Sequence, residues 1–404
     1  MRKKDYLMLV GFILVLVAVC LMPFAGAQAA EKKEITVGAV NSMTGPDSMT
    51  GAEQKWAYEQ AVNDINQKGG VFVKEYKKKL PIKLVFADDS SAPDKAAAAM
   101  ERLVKANKVD LALSSDTTPK NLAAAVVAEK YRVFFLIDLA WPPLVEQQNY
   151  KWVACYFFTP DSASRVPFQI WESLPQAERP KRPALITEDN QDGQAFRETF
   201  QHWSKEYNMP FAYDNPAPQG NRDFSSWVLK MKSVNADALV FHGDGNAGIT
   251  LVRQIQDGDL KLRYIHGFQG FWPSEFYKAL GEKANYIIHD GFWVENNGAP
   301  MSKDLGARFK KQFGRDSVSA GHHYAAVQIL AAAVEKAGSV DSAKVRDAVF
   351  NGSFKGTTLG GDIKFDGKGI AVTQSLALQW WNGERMPVWP PLPSIWKLKL
   401  IPVQ

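Results

Sequence analysis

The chain has 404 residues, of which 46% are hydrophobic and 23% are charged, and its formal net charge is +5. This composition is typical of a globular protein, and the length is sufficient for two separate hydrophobic cores. Apart from the short run Lys77–Lys79, the basic residues are scattered. Nucleic-acid binding is therefore not expected, because it requires a concentrated basic surface.

The first thirty residues have the organisation of a secretory signal peptide. A basic segment at 2–4 precedes an apolar run from Leu7 to Phe24, and small residues follow at 25–30. We therefore expect residues 1–30 to be cleaved and the rest of the chain to be exported to the periplasm. The alternative is an uncleaved anchor, because the apolar run is nearly long enough to span a bilayer. A lipid anchor on Cys20 is not expected, because the bulky Val19 precedes it.

After cleavage a single cysteine, Cys155, remains, so the mature chain cannot form an intramolecular disulfide. Its neighbours Ala154 and Tyr156 predict that the thiol is a small, buried apolar side chain. Stability then has to come from burial of apolar surface.

Beyond the leader, short β-rich runs alternate with amphipathic helical stretches. The first series consists of strands Ile35–Val40, Ile82–Ala87, Leu111–Leu113 and Val133–Ile137, and of helices Ala52–Gln67, Asp94–Ala106 and Asn121–Tyr131. Such alternation predicts a parallel sheet covered by helices on both faces.

A second series begins near Trp152. It consists of strands Ala184–Thr187, Ala238–Phe241 and Tyr264–Phe268, and of helices Gln194–Tyr207, Ala247–Gln256 and Ser274–Leu280. Three more helices are predicted at Leu305–Phe313, His323–Lys336 and Ala343–Val349, then β-structure at Ile363–Trp381 and an irregular segment at Pro387–Pro393. The two series predict two doubly wound α/β lobes, with ligand-binding loops at the carboxyl ends of their strands.

Two motifs could indicate a cofactor or a metal. The turn Gly243–Gly248 fits the glycine pattern of dinucleotide sites, which also need an acidic residue at the end of the next strand. That strand ends in His266–Gln269 and has no such residue, so a plain glycine-rich turn is favoured. His322 and His323 are adjacent and would point in different directions on a helix, so they are not expected to share a metal. We expect no cofactor and no metal.

Catalytic signatures are also missing from the sequence, which has neither a G-x-S-x-G nucleophile elbow nor a Walker A loop. The carboxylates at 88–89 and 188–189 support the alternative of an enzyme, but solvated or turn-forming side chains are the favoured interpretation. We expect no catalytic residue and no enzymatic activity.

Hydroxyl and aromatic residues follow several predicted strands. The run Ser114–Thr118 precedes Pro119 and predicts either a helix N-cap or a site for an anionic group. Trp141, Trp272 and their aromatic neighbours Phe268 and Phe271 would wall an apolar ligand or pack in the core.

A set of short motifs occurs in order along the mature chain. They are Ile35–Pro46, Thr50-Gly51, the DINQKGG segment at 64–70, Asp88–Ser90, Ser114-Ser115, Asp189–Gly193, Asp237–Gly243, Tyr324–Val327, Phe365–Gly369 and Leu378–Trp380. In this order the chain resembles the ABC-importer binding proteins of the branched-chain amino acid and amide class, which have the type I periplasmic-binding fold.

The resemblance implies two Rossmann-like lobes joined by three crossover segments. One lobe would comprise 31–154 and 288–372, and the other 155–287 and 373–404. A hinge motion would close the lobes around a small-molecule ligand, and the closed form, a monomer, would dock on an ABC permease in the inner membrane. The alternative is a sensor of the same fold that signals to a partner.

The resemblance also implies a set of ligand contacts. They are expected at Thr50, Ser114, Ser115, Asp138, Leu139, Trp141, Asp192, Asp244 and Gln269. Ser114 stands where the family holds a ligand carboxylate, whereas Gln269 replaces the family's acidic residue for a ligand ammonium, and Ala140 replaces a threonine. Thr50 and Asp192 stand where some amino-acid binders have tyrosines.

These replacements leave two ligand classes open. Asp138, Asp192 and Asp244 would supply negative charge for a cationic or amide ligand. Trp141 and Trp272 together with Ser114 would suit an aromatic or other apolar carboxylate, which the sequence slightly favours.

Overall fold

Two mainly parallel sheets organise the chain. The computed structural model describes residues 32–390 and 397–402, so the predicted signal peptide lies outside the described residues. The strands are β1 Ile35–Asn41, β2 Val71–Val73, β3 Lys78–Leu80, β4 Ile82–Asp88, β5 Leu111–Leu113, β6 Phe134–Ile137, β7 Val153–Phe157, β8 Pro183–Thr187, β9 Tyr213–Asp214, β10 Ala238–Gly243, β11 Tyr264–Gln269, β12 Ile288–Gly291, β13 Ser353–Lys355, β14 Asp362–Lys364, β15 Ile370–Val372, β16 Leu376–Trp381 and β17 Glu384–Trp389. The helices are α1 Ser48–Gln67, α2 Pro93–Lys105, α3 Thr118–Tyr131, α4 Pro142–Glu146, α5 Pro160–Ser173, α6 Gln191–Glu206, α7 Ser225–Ser233, α8 Gly245–Asp257, α9 Ser274–Leu280, α10 Ser302–Phe313, α11 Ala320–Ala337 and α12 Ser342–Val349.

The first sheet has the strand order β4-β1-β5-β6-β7-β15, and all its pairs are parallel. Chain order reverses between β1 and β5, which makes this the switch point where doubly wound sheets bind ligands. Successive strand residues alternate between two cores, so both faces are buried. Cys155 lies in one of these cores, as predicted.

The second sheet has the order β9-β8-β10-β11-β12-β16-β17, in which β16 and β17 run antiparallel to their neighbours. Its switch point lies between β8 and β10. The prediction of an irregular segment beginning at Pro387 is wrong for residues 387–389, because they belong to β17. A proline is compatible with this position, since β17 is an edge strand and one of its sides needs no backbone donor.

Three segments connect the sheets: 158–159 leads from β7 to α5, 292–301 from β12 to α10, and 373–375 from β15 to β16. The predicted fold class, two doubly wound α/β lobes joined by three crossovers, is confirmed. The strand positions differ from the predicted division of the chain in two places: all of β7 lies in the first sheet and β12 lies in the second.

No helix within the described ranges combines the length and the apolarity needed to cross a bilayer.

Candidate functional site

The two lobes meet through Trp141, which follows β6 at the start of α4 and is 5% exposed. Its indole Nε1 donates a hydrogen bond of 2.9 Å to Oδ1 of Asp192, in the first turn of α6 in the second lobe. Its ring centroid lies 5.5 Å from that of Phe196 and 5.4 Å from those of Phe157 and Phe158. Trp141 therefore links the carboxyl ends of the two sheets.

Ring contacts continue from Trp141 through both lobes. Phe157 lies 5.1 Å from Phe292, which contacts Trp272 at 5.6 Å. On the second lobe, Phe196 stacks on His242 at 4.5 Å. We name the set the interlobe aromatic cluster: Trp141, Phe157, Phe158, Phe196, His242, Phe268, Trp272, Phe292 and His322. Because these rings pack directly on one another, a ligand can reach them only when the lobes separate.

Two carboxyl groups border the cluster, and an indole N–H donates to each. Burial raises the pKa of Asp192, whose donor is Trp141. Burial also raises the pKa of Asp290 in β12, to about 8, although the Trp272 indole donates to this carboxyl and the nearby backbone N–H of Gln269 lowers its pKa. Neither carboxyl has an ion-pair partner among the residues described. The surroundings of the cluster are thus acidic.

Ser114 and Asp138 belong to a buried network inside the first lobe. The Ser114 hydroxyl donates to Asp138 Oδ1 at 2.5 Å. The other oxygen, Oδ2, accepts from the Tyr58 hydroxyl at 3.0 Å and pairs with Nδ1 of His323 at 2.8 Å. Burial opposes the charge on Asp138, but His323 and the hydrogen bonds lower the pKa of the carboxyl below its ordinary value. The single Ser114 proton is therefore already donated within the protein.

The Ser115 side chain belongs to a second buried network. Its hydroxyl donates to Asp89, and the adjacent Asp116 forms an ion pair of 2.5 Å with Lys120. Lys120 is only 1% exposed and also donates to Asp47 Oδ2 at 2.6 Å. This network stabilises the loop between β5 and α3.

That loop also positions Trp141. The backbone N–H of Ser115 donates to Asn121 Oδ1 at 2.8 Å, and the Asn121 amide donates to the Leu139 carbonyl at 2.8 Å. The Thr118 hydroxyl accepts from the backbone N–H of Trp141 at 3.0 Å. These hydrogen bonds are made within the protein, and through them the loop between β5 and α3 fixes the segment that carries Trp141.

The remaining expected contacts occupy different surroundings. Thr50 is exposed on the first turn of α1. Asp244 caps α8 by accepting from two backbone N–H groups at 2.8 and 2.9 Å, and it pairs with Arg222 at 3.0 Å. Leu139 packs with the core that contains Trp141. Of the nine expected residues, the structure therefore brings Leu139, Trp141, Asp192 and Gln269 together beside the cluster.

Several residues of the interlobe cluster were missed from the sequence. Phe157, Phe158 and Phe292 lie at or beside crossover segments, and Asp290 lies in the short strand β12. The sequence signal that could have identified these aromatic residues was the pair Phe157-Phe158 at the end of β7 and the pair Phe292-Trp293 after β12. Phe271, in contrast, packs on the other face of the second sheet, in the core that covers α8 and α9.

The glycine motif forms the predicted strand-to-helix turn, because β10 ends at Gly243 and α8 begins at Gly245. Gly248 is required for close packing, since a Cβ there would lie 2.7 Å from the carbonyl oxygen of Gly270. His322 and His323 are buried and bond to Asp138. Within the described part of the chain, no group of three or more His, Cys, Asp or Glu side chains is placed to hold a metal.

A groove of about 400 Å³ lies on the first lobe, with Val153, Arg346 and Ile370 in its lining. Val153 and Ile370 are the first residues of β7 and β15, so this groove opens at the amino ends of the strands. Doubly wound sheets bind their ligands at the opposite edge. A second groove, of about 280 Å³, runs along the second crossover past Trp293 and Arg385. We therefore place the candidate site at the interlobe aromatic cluster.

Two lobes joined by three crossovers, with a buried aromatic cluster at the carboxyl ends of both sheets, have the architecture of two-lobed solute-binding receptors. The model of the periplasmic binding protein family matches residues 34–385. This chain therefore belongs to the periplasmic binding protein family, and the resemblance to the branched-chain amino acid class is confirmed.

Relatives and solved structures agree with this assignment. Leu/Ile/Val-binding protein homolog 3 of Brucella melitensis is 24% identical over 83% of this chain and 88% of its own length. The branched-chain amino acid transporter substrate-binding protein of Streptococcus pneumoniae, in complex with isoleucine, superposes with a TM-score of 0.74 at 22% identity, over 87% of this chain and 98% of its own. A solute-binding protein of an ABC transporter from Rhodopseudomonas palustris, in complex with 3,4-dihydroxybenzoic acid, gives 0.72 at 20% identity, over 88% and 95%.

Proposed function

We propose that this protein is an extracytoplasmic receptor that captures a small organic ligand between its two lobes and delivers it to an ABC permease in the inner membrane. Its family consists of solute-binding receptors, and the sequence predicts export through a cleaved signal peptide. The interlobe aromatic cluster is the observation that carries the proposal, because it places a buried apolar surface where both lobes can contact one ligand.

The ligand has an apolar or aromatic body, which the rings of the cluster contact. Amino acid-like compounds, amides and aromatic or apolar carboxylates all fit this description, and isoleucine and 3,4-dihydroxybenzoic acid are bound by two proteins of the same fold. The bond from Ser114 to Asp138 weighs against a carboxylate held by Ser114. Such a ligand would have to compete with a buried carboxylate for one proton.

Opening and closing of the lobes account for capture. Separation of the lobes breaks the bond between Trp141 and Asp192 and uncovers the rings. Closure around the ligand excludes water, and contacts made only in the closed form shift the equilibrium toward it. Leu139, Trp141, Asp192 and Gln269 are the expected residues that we retain as ligand contacts, and Ser114, Ser115 and Asp138 hold the first lobe in shape.

The protein acts as a monomer without catalysis, cofactor or metal. A sensor of the same fold would use the same cleft but would contact a signalling partner. Genes for a permease and its ATPases beside this gene support import, whereas genes for a receptor or regulator support the sensor.

A thermal-shift screen tests the capture step. A ligand at one hundred times its Kd stabilises the folded protein by about 2.7 kcal/mol, so binding among amino acids, amides and aromatic acids raises the melting temperature without turnover. Trp141→Phe removes the donor to Asp192 and keeps a ring, and it should weaken binding about 5- to 10-fold. Trp227→Phe, in the outer helix α7, is the matched control. The proposal fails if no compound stabilises the protein, or if both variants bind like the wild type.

A further inference from the structure

Asp290 is a buried acid that no expected ligand contact includes. It is the third residue of β12 and is 1% exposed. Oδ1 accepts from the indole of Trp272, whereas Oδ2 has no hydrogen-bond partner in the part of the chain that the structure describes. An acceptor left unpaired in the interior is costly, which makes this oxygen a candidate for a ligand group.

The register of the second sheet directs Asp290 toward the cluster. Ile288 is paired with His266 on β11, and side chains two residues apart on a strand share a face. Asp290 and Phe268 therefore lie on the same face of the sheet. The Trp272 ring, whose indole donates to Asp290, contacts Phe292 of the cluster.

The position of Asp290 is also significant for Gln269. The resemblance puts the family's acidic residue for a ligand ammonium at Gln269, on the end of β11. The backbone N–H of Gln269 is close enough to the Asp290 carboxyl on the adjacent strand to lower its pKa. Asp290 thus places a carboxyl group on the strand next to Gln269, where this sequence has an amide in place of the family's acidic residue.

The charged and titratable neighbours do not neutralise Asp290. On its own strand, the Nδ1–H of His289 donates to the Asp290 backbone carbonyl, and burial lowers the pKa of His289 well below its ordinary value. Burial lowers the pKa of His266 on β11 to about 3 and of His322 on α11 to about 4, so both are neutral at physiological pH. Arg385 on β17 is already engaged with Asp316 and the Trp272 carbonyl.

We propose that Asp290 is the acidic anchor of the ligand, and that its Oδ2 accepts a hydrogen bond from a protonated amine or an amide N–H. The inference rests on the proposed function and narrows its ligand class to amines, amides and amino acid-like compounds. A ligand whose only polar group is a carboxylate is not expected, because it has no N–H group to donate to Oδ2 of Asp290.

A pH dependence follows for cationic ligands. With a pKa of about 8, Asp290 is protonated at neutral pH in the ligand-free protein. An amine that binds as a cation requires ionised Asp290, so its binding releases this proton to solvent. Its Kd should therefore fall about tenfold for each unit by which the pH rises toward 8, and it should level off above pH 8. An amide is uncharged and can bond to either form of Asp290, because its N–H donates to the ionised carboxyl and its carbonyl accepts from the protonated one, so its Kd should change little.

Isothermal titration calorimetry of the mature chain with benzylamine, benzamide, benzoate and leucine tests the proposal. The four probes separate cation, amide, anion and amino acid. Asp290→Asn keeps the size of the side chain and should raise the Kd of benzylamine and leucine about 10- to 100-fold. Asp259→Asn, at an exposed residue of the same lobe, is the control for charge alone. Trp272→Phe, which removes only the indole donor, is a second variant with an intact Asp290.

The outcomes separate the two proposals. If benzylamine or leucine binds wild type and Asp290→Asn equally, or if benzoate binds most tightly, the anchor is refuted while the receptor function stands. If no probe binds and no compound of the thermal-shift screen stabilises the protein, the receptor function fails as well. Loss of the pH dependence in Asp290→Asn, with retained binding of benzamide, is the result that we expect.

Discussion

Replacing Asp138 with asparagine tests whether this buried carboxylate stabilises the first lobe or contacts the ligand. The carboxylate accepts from Ser114 at 2.5 Å, His323 at 2.8 Å and Tyr58 at 3.0 Å. An amide cannot accept all three bonds, and its N–H₂ group would face donors. A hydrogen bond to a charged group contributes about 1.5–3 kcal/mol, so the loss of these bonds should cost about 3 kcal/mol or more.

The expected loss of unfolding free energy can be converted into a decrease of the melting temperature. Unfolding entropy is about 2.1 cal/mol/K per residue, or about 0.8 kcal/mol/K for a mature chain of roughly 370 residues, so a loss of about 3 kcal/mol lowers the melting temperature by about 4 °C. Differential scanning calorimetry of the ligand-free protein measures this, with the exposed Asp259→Asn expected to change stability by less than about 0.5 kcal/mol. An Asp138→Asn variant with unchanged melting temperature and abolished ligand binding would refute the structural role and make Asp138 a ligand contact.

Three further predictions concern stability. The folded-state pKa of Asp290 is about 8 and its ordinary value is 3.8. Its contribution to stability is therefore present below about pH 4 and is lost as the pH rises to 8, by at most about 1.4 kcal/mol per pH unit. In urea unfolding, Asp290→Asn should lose less stability between pH 5 and pH 8 than the wild type does, and equal losses would contradict this. Gly248→Ala would place a Cβ 2.7 Å from the Gly270 carbonyl oxygen and should cost about 1–3 kcal/mol in the same assay, whereas wild-type stability would contradict the packing argument. Arg385→Ala removes the ion pair that joins β17 of the second lobe to Asp316 beside α10 and should cost about 2–4 kcal/mol; an unchanged unfolding midpoint would show that this contact contributes nothing.

The periodicity of the sequence was sufficient to predict most of the fold. The strands of the first series and their helices appear within a few residues of the predicted limits, because apolar patterns determine burial. Helix α5 was missed, since Pro160 and Pro167 are expected to break a helix; Pro160 instead occupies the first turn, behind the N-cap Thr159. Strand β12 was missed because Ile288–Gly291 has only one large apolar residue, and its conformation depends on pairing with β11 and β16.

The site was predicted in part, for a related physical reason. Trp141, Asp192 and Gln269 follow predicted strands and could be placed at the lobe interface from the sequence. The hydrogen bond from the Ser114 hydroxyl to Asp138 joins residues that are 24 positions apart. No local sequence pattern indicates such a contact. Asp290 could not be identified for the same reason, since its significance depends on a carboxyl oxygen that has no partner among the described residues of the folded chain.

A crystal structure of the protein with the most stabilising compound of the screen tests the central claim most directly. We expect that compound between the lobes, with its apolar body against Trp141 and Phe196 and its N–H group on Asp290. A ligand bound instead in the groove beside Val153 and Ile370, with the rings of the interlobe aromatic cluster still packed on one another, would contradict the account.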